Sequence, residues 1–159
     1  MQPTVFITGA TSGFGEACAR RFARAGWSMV LTGRREERLL SLANELGKQC
    51  DVLPRVLDVR DRAAMQTAID QLPERFTTLR GLINNAGLAL GTEAAQVCSL
   101  DDWETMVDTN IKGLLYSTRL LLPRLIAHGA GASIGRLGAS AGRWPYPASH
   151  VHGPPQACG

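Results

Sequence analysis

The feature that most constrains the fold is a glycine-rich turn between a short apolar run and an amphipathic segment. The apolar run covers residues 4–8, and the turn places Gly9, Gly13 and Gly15 in the order Gly-x-x-x-Gly-x-Gly. A short apolar run bounded by turn residues is typical of a buried parallel strand. Glycines in such a turn allow a sharp change of direction and close helix–strand packing. The chain is therefore predicted to open with a strand, a glycine turn and a helix.

The rest of the chain repeats this alternation. Strand-like runs at 27–32, 52–59, 82–84 and 132–138 alternate with helical patterns at 13–25, 35–46, 61–72 and 99–127. Strands that alternate with helices predict a parallel sheet with helices on both faces. We therefore expect a Rossmann-type doubly wound α/β fold of three layers, in a single domain over residues 1–159. Residues 143–159 hold four of the eight prolines and are expected to be an irregular tail.

Prolines and apolar spacing predict further detail within these elements. Pro54 restricts the third strand to a strand start or a sheet edge, and Pro123 is expected to end or kink the long fourth helix. The spacing of Phe14, Cys18 and Phe22 predicts that these side chains form the buried face of the first helix. The buried face of the second helix is predicted to hold Leu39, Leu42, Ala43 and Leu46. That of the third is predicted to hold Ala64, Ala68 and Leu72.

Composition excludes several classes of protein. With 45% apolar and 19% charged residues, 159 residues suffice for one packed core. A net charge of +3, with the basic residues scattered, does not indicate nucleic-acid binding. No apolar run has membrane-spanning length, and residues 1–10 show no secretory pattern, so we expect a cytoplasmic protein. The four cysteines form no C-x-x-C pair and no zinc spacing, so they are interpreted as ordinary thiols, and no metal site is expected.

The glycine turn is predicted to hold the pyrophosphate of a dinucleotide. It precedes a helix whose first N–H groups and partial positive charge favour an anion. Gly13 would let a phosphate approach the backbone closely. The strand–turn–helix context makes this motif more specific than a glycine run alone. The cofactor-binding residues predicted here are Gly9, Thr11, Ser12, Gly13, Phe14 and Gly15.

The residues after the second strand indicate NADP(H) rather than NAD(H). NAD-selective folds place a carboxylate near this strand end to bind the ribose 2′-hydroxyl, whereas an arginine suits a 2′-phosphate. Here the strand is followed by Arg34 and Arg35, with no acidic residue. Arg34 offers a planar fork of donors, and Arg35 is a second candidate. The alternative is an ordinary solvated helix start, but arginines in a first turn oppose the helix dipole.

Three further motifs accompany the glycine turn: Asp58-Val59 after the third strand, Asn84-Asn85-Ala86-Gly87 after the fourth, and Asn110 in the long helix. Together with the glycine turn, they resemble the short-chain dehydrogenase/reductase family. In this resemblance Asp58-Val59 matches the position whose carboxylate contacts adenine, and Asn110 matches the helix asparagine of the catalytic tetrad. The asparagine-rich run matches the family's signature after the fourth strand. The resemblance extends to about His152 and implies cofactor contacts at Asp58, Val59, Asn85, Ala86 and Gly87.

Three short segments narrow the resemblance, namely Leu88–Gly91, Asp102–Met106 and Gly142–Tyr146. They resemble one subgroup of the family, the NADP-dependent 3-hydroxy acid dehydrogenases. The resemblance implies hydride transfer between NADP(H) and small 3-hydroxy acids such as serine or allo-threonine, or the corresponding semialdehydes. It also implies that the intact protein forms a homo-oligomer through its long helix.

The family's catalytic serine, tyrosine and lysine are missing from their positions. These positions hold Ala139, His152 and Gln156, and neighbouring Ser140 is one residue out of register on a strand. His152 can move protons, but Gln156 carries no charge that would shift a neighbour's pKa. Each lost acid–base participant is expected to lower the rate by about 10²- to 10⁴-fold. We therefore expect little or no catalysis from the chain as written.

Three interpretations follow for the whole chain. By family resemblance we interpret it as an NADP-dependent dehydrogenase. The alternatives are an inactive chain that still binds NADP(H) and a fragment that does not fold stably alone. Only about five strands of the six or more in a full doubly wound sheet are present, so the fold is expected to be incomplete at its C-terminal side. The face of the fifth strand would then be partly open to water. Because the departures cluster in the last quarter, we hypothesise a decayed or misread gene end.

Overall fold

The computed structural model describes residues 2–91, 93–129 and 131–138. Within them five strands form one parallel sheet in the order β3-β2-β1-β4-β5. The strands are β1 (Thr4–Ile7), β2 (Ser28–Gly33), β3 (Val52–Val56), β4 (Leu79–Asn84) and β5 (Ser133–Arg136). The order reverses direction between β1 and β4, which makes that point the switch point of a doubly wound sheet.

Helices follow the first four strands. They are α1 (Gly13–Arg24), α2 (Glu36–Leu46), α3 (Arg62–Asp70), α4 (Leu100–Val107) and α5 (Gly113–His128). Short 3₁₀ turns lie at Glu74–Phe76 and Ala95–Val97. The Rossmann-type α/β prediction is confirmed, and so is the place of Pro54, because β3 forms an edge of the sheet.

Alternate residues of the central strand face two separate cores. Val5 and Ile7 pack with the small side chains of α1 and the leucines of α2. Phe6 packs on the opposite face with Met65 of α3 and Leu121 of α5. Successive side chains of a strand point to opposite faces, so a strand apolar throughout can be covered on both sides. The predicted three-layer arrangement is therefore confirmed.

Helix α1 packs through a different face from the one predicted. Phe14 is 75% exposed, while the buried residues of α1 are Gly15, Ala19 and Ala23. Cys18 and Phe22 lie beside that face and are partly buried. The prediction was wrong for Phe14 because a stripe of small residues, rather than the aromatic one, lets the helix axis approach the sheet closely. The predicted face of α2 is confirmed, since all four of its residues are buried.

Helix α3 buries Met65 and Ile69 rather than the predicted alanines. Ala64 and Ala68 are only half-buried, while Leu72, just past the helix, is buried. The larger side chains, one position along, reach further into the core and set the orientation of the helix.

The long fourth helix of the prediction consists of α4, a π-helical turn at Asp108–Lys112, and α5. It does not end at Pro123, as one alternative predicted, but continues to His128 before Gly129, whose φ is +81°. Pro123 is exposed, so its missing N–H and its ring fall on the solvent side of the helix. None of the helices among the described residues is long and apolar enough to cross a membrane.

The start of this helix gives a stability prediction. The Ser99 hydroxyl accepts a hydrogen bond from the backbone N–H of Asp102, at 3.3 Å, as the predicted helix start requires. We expect Ser99→Ala to lower the free energy of unfolding by about 1 kcal/mol, measured by urea titration. Ser41→Ala, on the exposed side of α2, is the matched control and should cause no such loss. Equal free energies for the two variants would contradict this assignment.

The fifth strand is partly exposed within the described residues. On β5, Ser133 and Ile134 are exposed, with 44% of Ile134 accessible to solvent. The strand is shorter than the predicted 132–138. The predicted irregular tail at 143–159 lies outside the described residues.

Candidate functional site: a dinucleotide cleft

A cleft of about 670 Å³ lies at the carboxyl ends of β1, β2, β3 and β4. This is where ligands bind in doubly wound sheets, beside the strand-order switch. Its lining residues are Gly9, Thr11, Ser12, Gly13, Phe14, Gly33, Arg34, Arg35, Leu57, Asp58, Val59, Asn85, Ala86, Gly87, Leu88 and Thr109. The structure thus brings together every predicted cofactor-binding residue except Gly15, which lies directly beneath the turn.

Two glycines are required by close packing under the turn. At Gly9, φ is +66°, and an added Cβ would lie 2.8 Å from the Cα of Ala86. At Gly15 an added Cβ would collide with the Nδ2 atom of Asn85 and the carbonyl oxygen of Gly9. Gly13 differs, because a Cβ there would meet nothing within 4 Å although φ is +55°. The backbone at Gly13 therefore borders open space in which a ligand can approach.

Hydrogen bonds join the turn after β1 to the residues after β4. The Nδ2 atom of Asn85 donates to the carbonyl oxygens of Thr8 and Gly9, at 3.2 and 2.8 Å. The backbone N–H groups of Asn85 and Ala86 both donate to the hydroxyl of Thr8 at 3.1 Å. These bonds hold the floor of the cleft rigid, which keeps the N-terminus of α1 in place. Asn85 was predicted as a cofactor contact; its side chain supports the turn.

The N-terminus of α1 is not capped by its own N-cap side chain. Ser12 makes no side-chain hydrogen bond to the helix, and its hydroxyl instead accepts from the guanidinium of Arg35 at 2.7 Å. Arg35 also donates to the hydroxyl of Thr11 at 3.0 Å. Ser12 therefore leaves the first N–H groups of α1 without a side-chain cap, and an anion is the ligand that such groups favour.

Arg34 and Arg35 lie at the end of the cleft formed by β2, as predicted from the sequence. Arg34 has 58% of its side chain exposed, and its Nη1 is 3.9 Å from the Oδ2 of Asp58. Arg35 braces the glycine turn through the two hydroxyls described above. That contact explains why an arginine at the start of α2 is tolerated, and it keeps the guanidinium beside the turn.

Asp58 is bound by an arginine that the sequence reasoning did not single out. The Nη2 of Arg60 lies 2.7 Å from Oδ2, and the Nε lies 3.1 Å from Oδ1 and 3.0 Å from Oδ2. The backbone N–H of Arg60 donates to Oδ1 at 3.0 Å. These bonds hold the pKa of the Asp58 carboxyl below its usual value, with a smaller contribution from the charge of Arg34. The signal in the sequence was the spacing of two residues between Asp58 and Arg60, which allows the arginine side chain to fold back onto the carboxylate.

Asn110 lies in the π-helical turn and clamps the segment after β4. Its Nδ2 donates to the carbonyl oxygen of Leu88 at 2.8 Å, and its Oδ1 accepts from the N–H of Leu88 at 2.9 Å. The residue is only 5% exposed. A Cβ at Gly87 would lie 3.2 Å from the Oδ1 of Asn110, and the lack of a side chain at Gly87 therefore allows these two segments to lie close together. A π turn widens a helix by one residue, and such turns are frequent at functional sites.

Thr109 and Asn84 contribute to the site and were not singled out as ligands from the sequence. Thr109 lines the cleft, and its hydroxyl is buried without a hydrogen-bond partner among the described residues. Asn84 holds the sheet to α5, because its Oδ1 accepts from Ser117 at 2.6 Å and its Nδ2 donates to Thr118 at 2.9 Å. A threonine in a helix carries no sequence signal that separates such a cleft position from an ordinary one.

The predicted catalytic positions Ala139, His152 and Gln156 lie outside the described residues. Their roles stay predictions from the sequence. Of the predicted catalytic residues, Asn110 alone falls within the described part of the chain.

The cleft fits a dinucleotide on three independent observations. Its volume lies within the range of small-molecule sites, about 300–1,000 Å³. The uncapped start of α1 suits a pyrophosphate. Two arginines lie at the end where an adenosine 2′-phosphate would be placed.

Comparisons with known proteins agree with this geometry. A family model described as short chain dehydrogenase matches residues 3–153. Sulfoacetaldehyde reductase 2 of Chromohalobacter salexigens is 60% identical over 157 residues, which are 99% of this chain and 62% of that protein. The NADP-dependent 3-hydroxy acid dehydrogenase YdfG of Salmonella typhi is 49% identical over 153 residues, 96% of this chain and 60% of that protein.

A solved structure is similarly close. The closed form of serine dehydrogenase complexed with NADP⁺ is 47% identical, with a TM-score of 0.90. The match covers 97% of this chain and 61% of that one. The chain thus spans about 60% of the length of the curated relatives it matches.

Proposed function

The chain belongs to the short-chain dehydrogenase family, and we propose that the intact protein transfers a hydride between NADP(H) and a small 3-hydroxy acid such as serine or allo-threonine. The observation that carries the cofactor assignment is the pair Arg34 and Arg35 at the β2 end of the cleft. An NAD-selective site would place a carboxylate there. Similarity to a serine dehydrogenase solved with NADP⁺ supports the same cofactor.

In this proposal the chain's residues hold and orient the dinucleotide. The start of α1 and the backbone at Gly13 bind the pyrophosphate, and Arg34 binds the 2′-phosphate. Asp58 accepts a hydrogen bond from the adenine amino group, and Val59, Ala86 and Gly87 border the adenosine. NADP(H) supplies or accepts the hydride, so that an alcohol and NADP⁺ give a carbonyl compound, NADPH and a proton.

Substrate chemistry is drawn from the relatives. A 3-hydroxy acid carries its alcohol two carbons from the carbon of a carboxylate, and oxidation gives a carbonyl at that position. Sulfoacetaldehyde has the same layout, with a sulfonate in place of the carboxylate. The 60% identity to sulfoacetaldehyde reductase 2 makes a sulfonate the second candidate. Both candidates carry an anionic group that a cation of the protein would bind close to the reacting carbon, whereas a neutral alcohol has no such group.

The relatives bear the names of reductases and dehydrogenases, which favours an enzyme over an inactive nucleotide-binding chain. The test is reduction of NADP⁺ by 3-hydroxypropionate and by 2-hydroxyethanesulfonate, with 1-propanol as the neutral control. It uses the protein and its Ala139→Ser/His152→Tyr/Gln156→Lys variant. Turnover of either acid above 1-propanol supports the proposal. A variant that binds NADP⁺ and turns over none of the three contradicts it.

Removal of Arg34 is predicted to reduce or abolish the preference for NADPH over NADH. Hydrogen bonds to charged groups contribute about 1.5–3 kcal/mol, so Arg34→Ala should weaken NADPH binding about 10- to 100-fold. The affinity for NADH, which lacks the phosphate, should change little. Arg24→Ala at the exposed end of α1 removes the same charge away from the cleft and is the control. An equal loss of affinity for NADPH and NADH in Arg34→Ala would mean that Arg34 does not bind the 2′-phosphate.

Homo-oligomerisation through the long helix is a further part of the proposal. Leu115 and Ile126 of α5 have 55% and 68% of their surface exposed, which leaves an apolar face available to a partner. Light scattering on the intact protein tests this, and a monomer at micromolar concentration contradicts it. A cytoplasmic location is also proposed, on the sequence grounds given above.

A further inference from the structure

Asp58 lies between two arginines, one of which binds it much more closely than the other. Arg60 grips it through both carboxylate oxygens at 2.7–3.1 Å. Arg34 approaches only one oxygen, at 3.9 Å, which is too long for a hydrogen bond. The carboxylate is therefore paired with Arg60, and the Arg34 guanidinium stays exposed at the cleft.

Arg60 itself is not among the residues that line the cleft, whereas Arg34 and Asp58 both are. Its guanidinium is directed onto the carboxylate rather than toward the space a ligand would fill. We therefore expect an effect of Arg60 on a ligand to pass mainly through Asp58.

A carboxylate near a phosphate site is unfavourable for binding in two ways. It repels the anionic ligand, and it competes with that ligand for the nearest arginine. Protonation does not remove this charge in the neutral range, because hydrogen bonds from Arg60 hold the pKa of Asp58 below its usual value. An ion pair can remove it, since a two-pronged pair between guanidinium and carboxylate is strong and fixed in geometry.

We propose that Arg60 determines selectivity for NADP(H) over NAD(H) as a positioning residue: it holds and neutralises Asp58, which leaves Arg34 free for the 2′-phosphate. The inference rests on the proposed NADP(H) function and deepens it. Selectivity then depends on three residues from two strand ends, Arg34 after β2 and the Asp58–Arg60 pair after β3.

The test is a double-mutant cycle read by calorimetry with two fragments of the cofactor. Adenosine 2′,5′-bisphosphate carries the 2′-phosphate and 5′-AMP lacks it. The Kd of 5′-AMP divided by the Kd of the bisphosphate therefore measures the contribution of the 2′-phosphate, and the adenine contact cancels. Arg60→Ala should reduce this ratio about fivefold, the upper range for an exposed ion pair. Asp58→Asn in the Arg60→Ala background should restore most of it, because the freed carboxylate is then gone. Asp58→Asn in the otherwise unaltered protein should change the ratio less than the same substitution does in Arg60→Ala, because Arg60 already neutralises the carboxylate.

The control is Arg62→Ala, which removes an equal charge two residues away on the exposed start of α3 and should leave the ratio unchanged. A low ratio in both Arg60→Ala and the double variant would mean that Arg60 contacts the phosphate itself, and would overturn the proposal. An unchanged ratio in Arg60→Ala would also overturn it. If the unaltered protein bound both fragments equally, the NADP(H) function itself would fail, which is a different result from either.

Discussion

Restoring serine, tyrosine and lysine together, as Ala139→Ser/His152→Tyr/Gln156→Lys, is expected to raise turnover by about 10⁴-fold or more. Each missing acid–base participant is expected to cost about 10²- to 10⁴-fold, and residues that act as a unit are not additive. Any single restoration should therefore recover little. The measurement is NADPH formation with a 3-hydroxy acid, at saturating NADP⁺, for the protein, each single variant and the triple variant.

Ser140 provides the matched control. Ser140→Ala in the triple variant should leave turnover unchanged, because that hydroxyl is one residue out of register with the family's serine position. Should the unaltered protein be as active as the triple variant, His152 and Gln156 would be competent replacements and our interpretation of these positions would be wrong. Should Ser140→Ala abolish turnover, the assignment of the serine position to Ala139 would be wrong.

Replacing Gly15 by valine is expected to weaken NADPH binding by up to about 100-fold, which corresponds to an overpacking cost of roughly 1–3 kcal/mol at the phosphate site. A Cβ at this position collides with the Nδ2 of Asn85 and the carbonyl oxygen of Gly9, so the turn must shift. Because the colliding oxygen belongs to the backbone, no side-chain rotation relieves the clash. Overpacking of this kind costs about 1–3 kcal/mol of stability, measured by urea unfolding alongside calorimetry with NADPH.

Gly26→Asn is the control for this substitution. Gly26 follows the same helix at its other end, has a φ of +73°, and would meet nothing within 4 Å. Asparagine tolerates that backbone conformation, so the Kd for NADPH should be unchanged. Normal NADPH affinity in Gly15→Val would show that the packing of α1 on the turn does not shape the phosphate site.

The order of strands and helices could be predicted because each carries its own periodicity. The buried face of α2 followed from leucine spacing alone. The face of α1 did not, because apolar spacing marks Phe14 while the packing selects Gly15, Ala19 and Ala23. Small residues allow close approach, and that preference depends on the distance between helix and sheet, which local pattern does not contain.

Residues of the cleft could be predicted where they belong to a sequence motif. They were missed where their role depends on contacts that only the folded chain makes. The glycine turn and Arg34 line the cleft as expected. The grip of Arg60 on Asp58, the orphaned hydroxyl of Thr109 and the π turn that holds Asn110 were all absent from the sequence reasoning. Nothing in the local sequence indicates that one extra residue enters the helix at Asp108–Lys112.

The NADP(H) assignment is tested by the affinity of the unaltered protein for NADPH and NADH, measured by calorimetry in the same buffer. We expect saturable binding at one site, with NADPH bound at least about tenfold more tightly, because NADPH makes one or more charge-assisted hydrogen bonds that NADH cannot make. Equal affinities, or tighter binding of NADH, would contradict the role given to Arg34 and with it the assignment of the cleft to NADP(H).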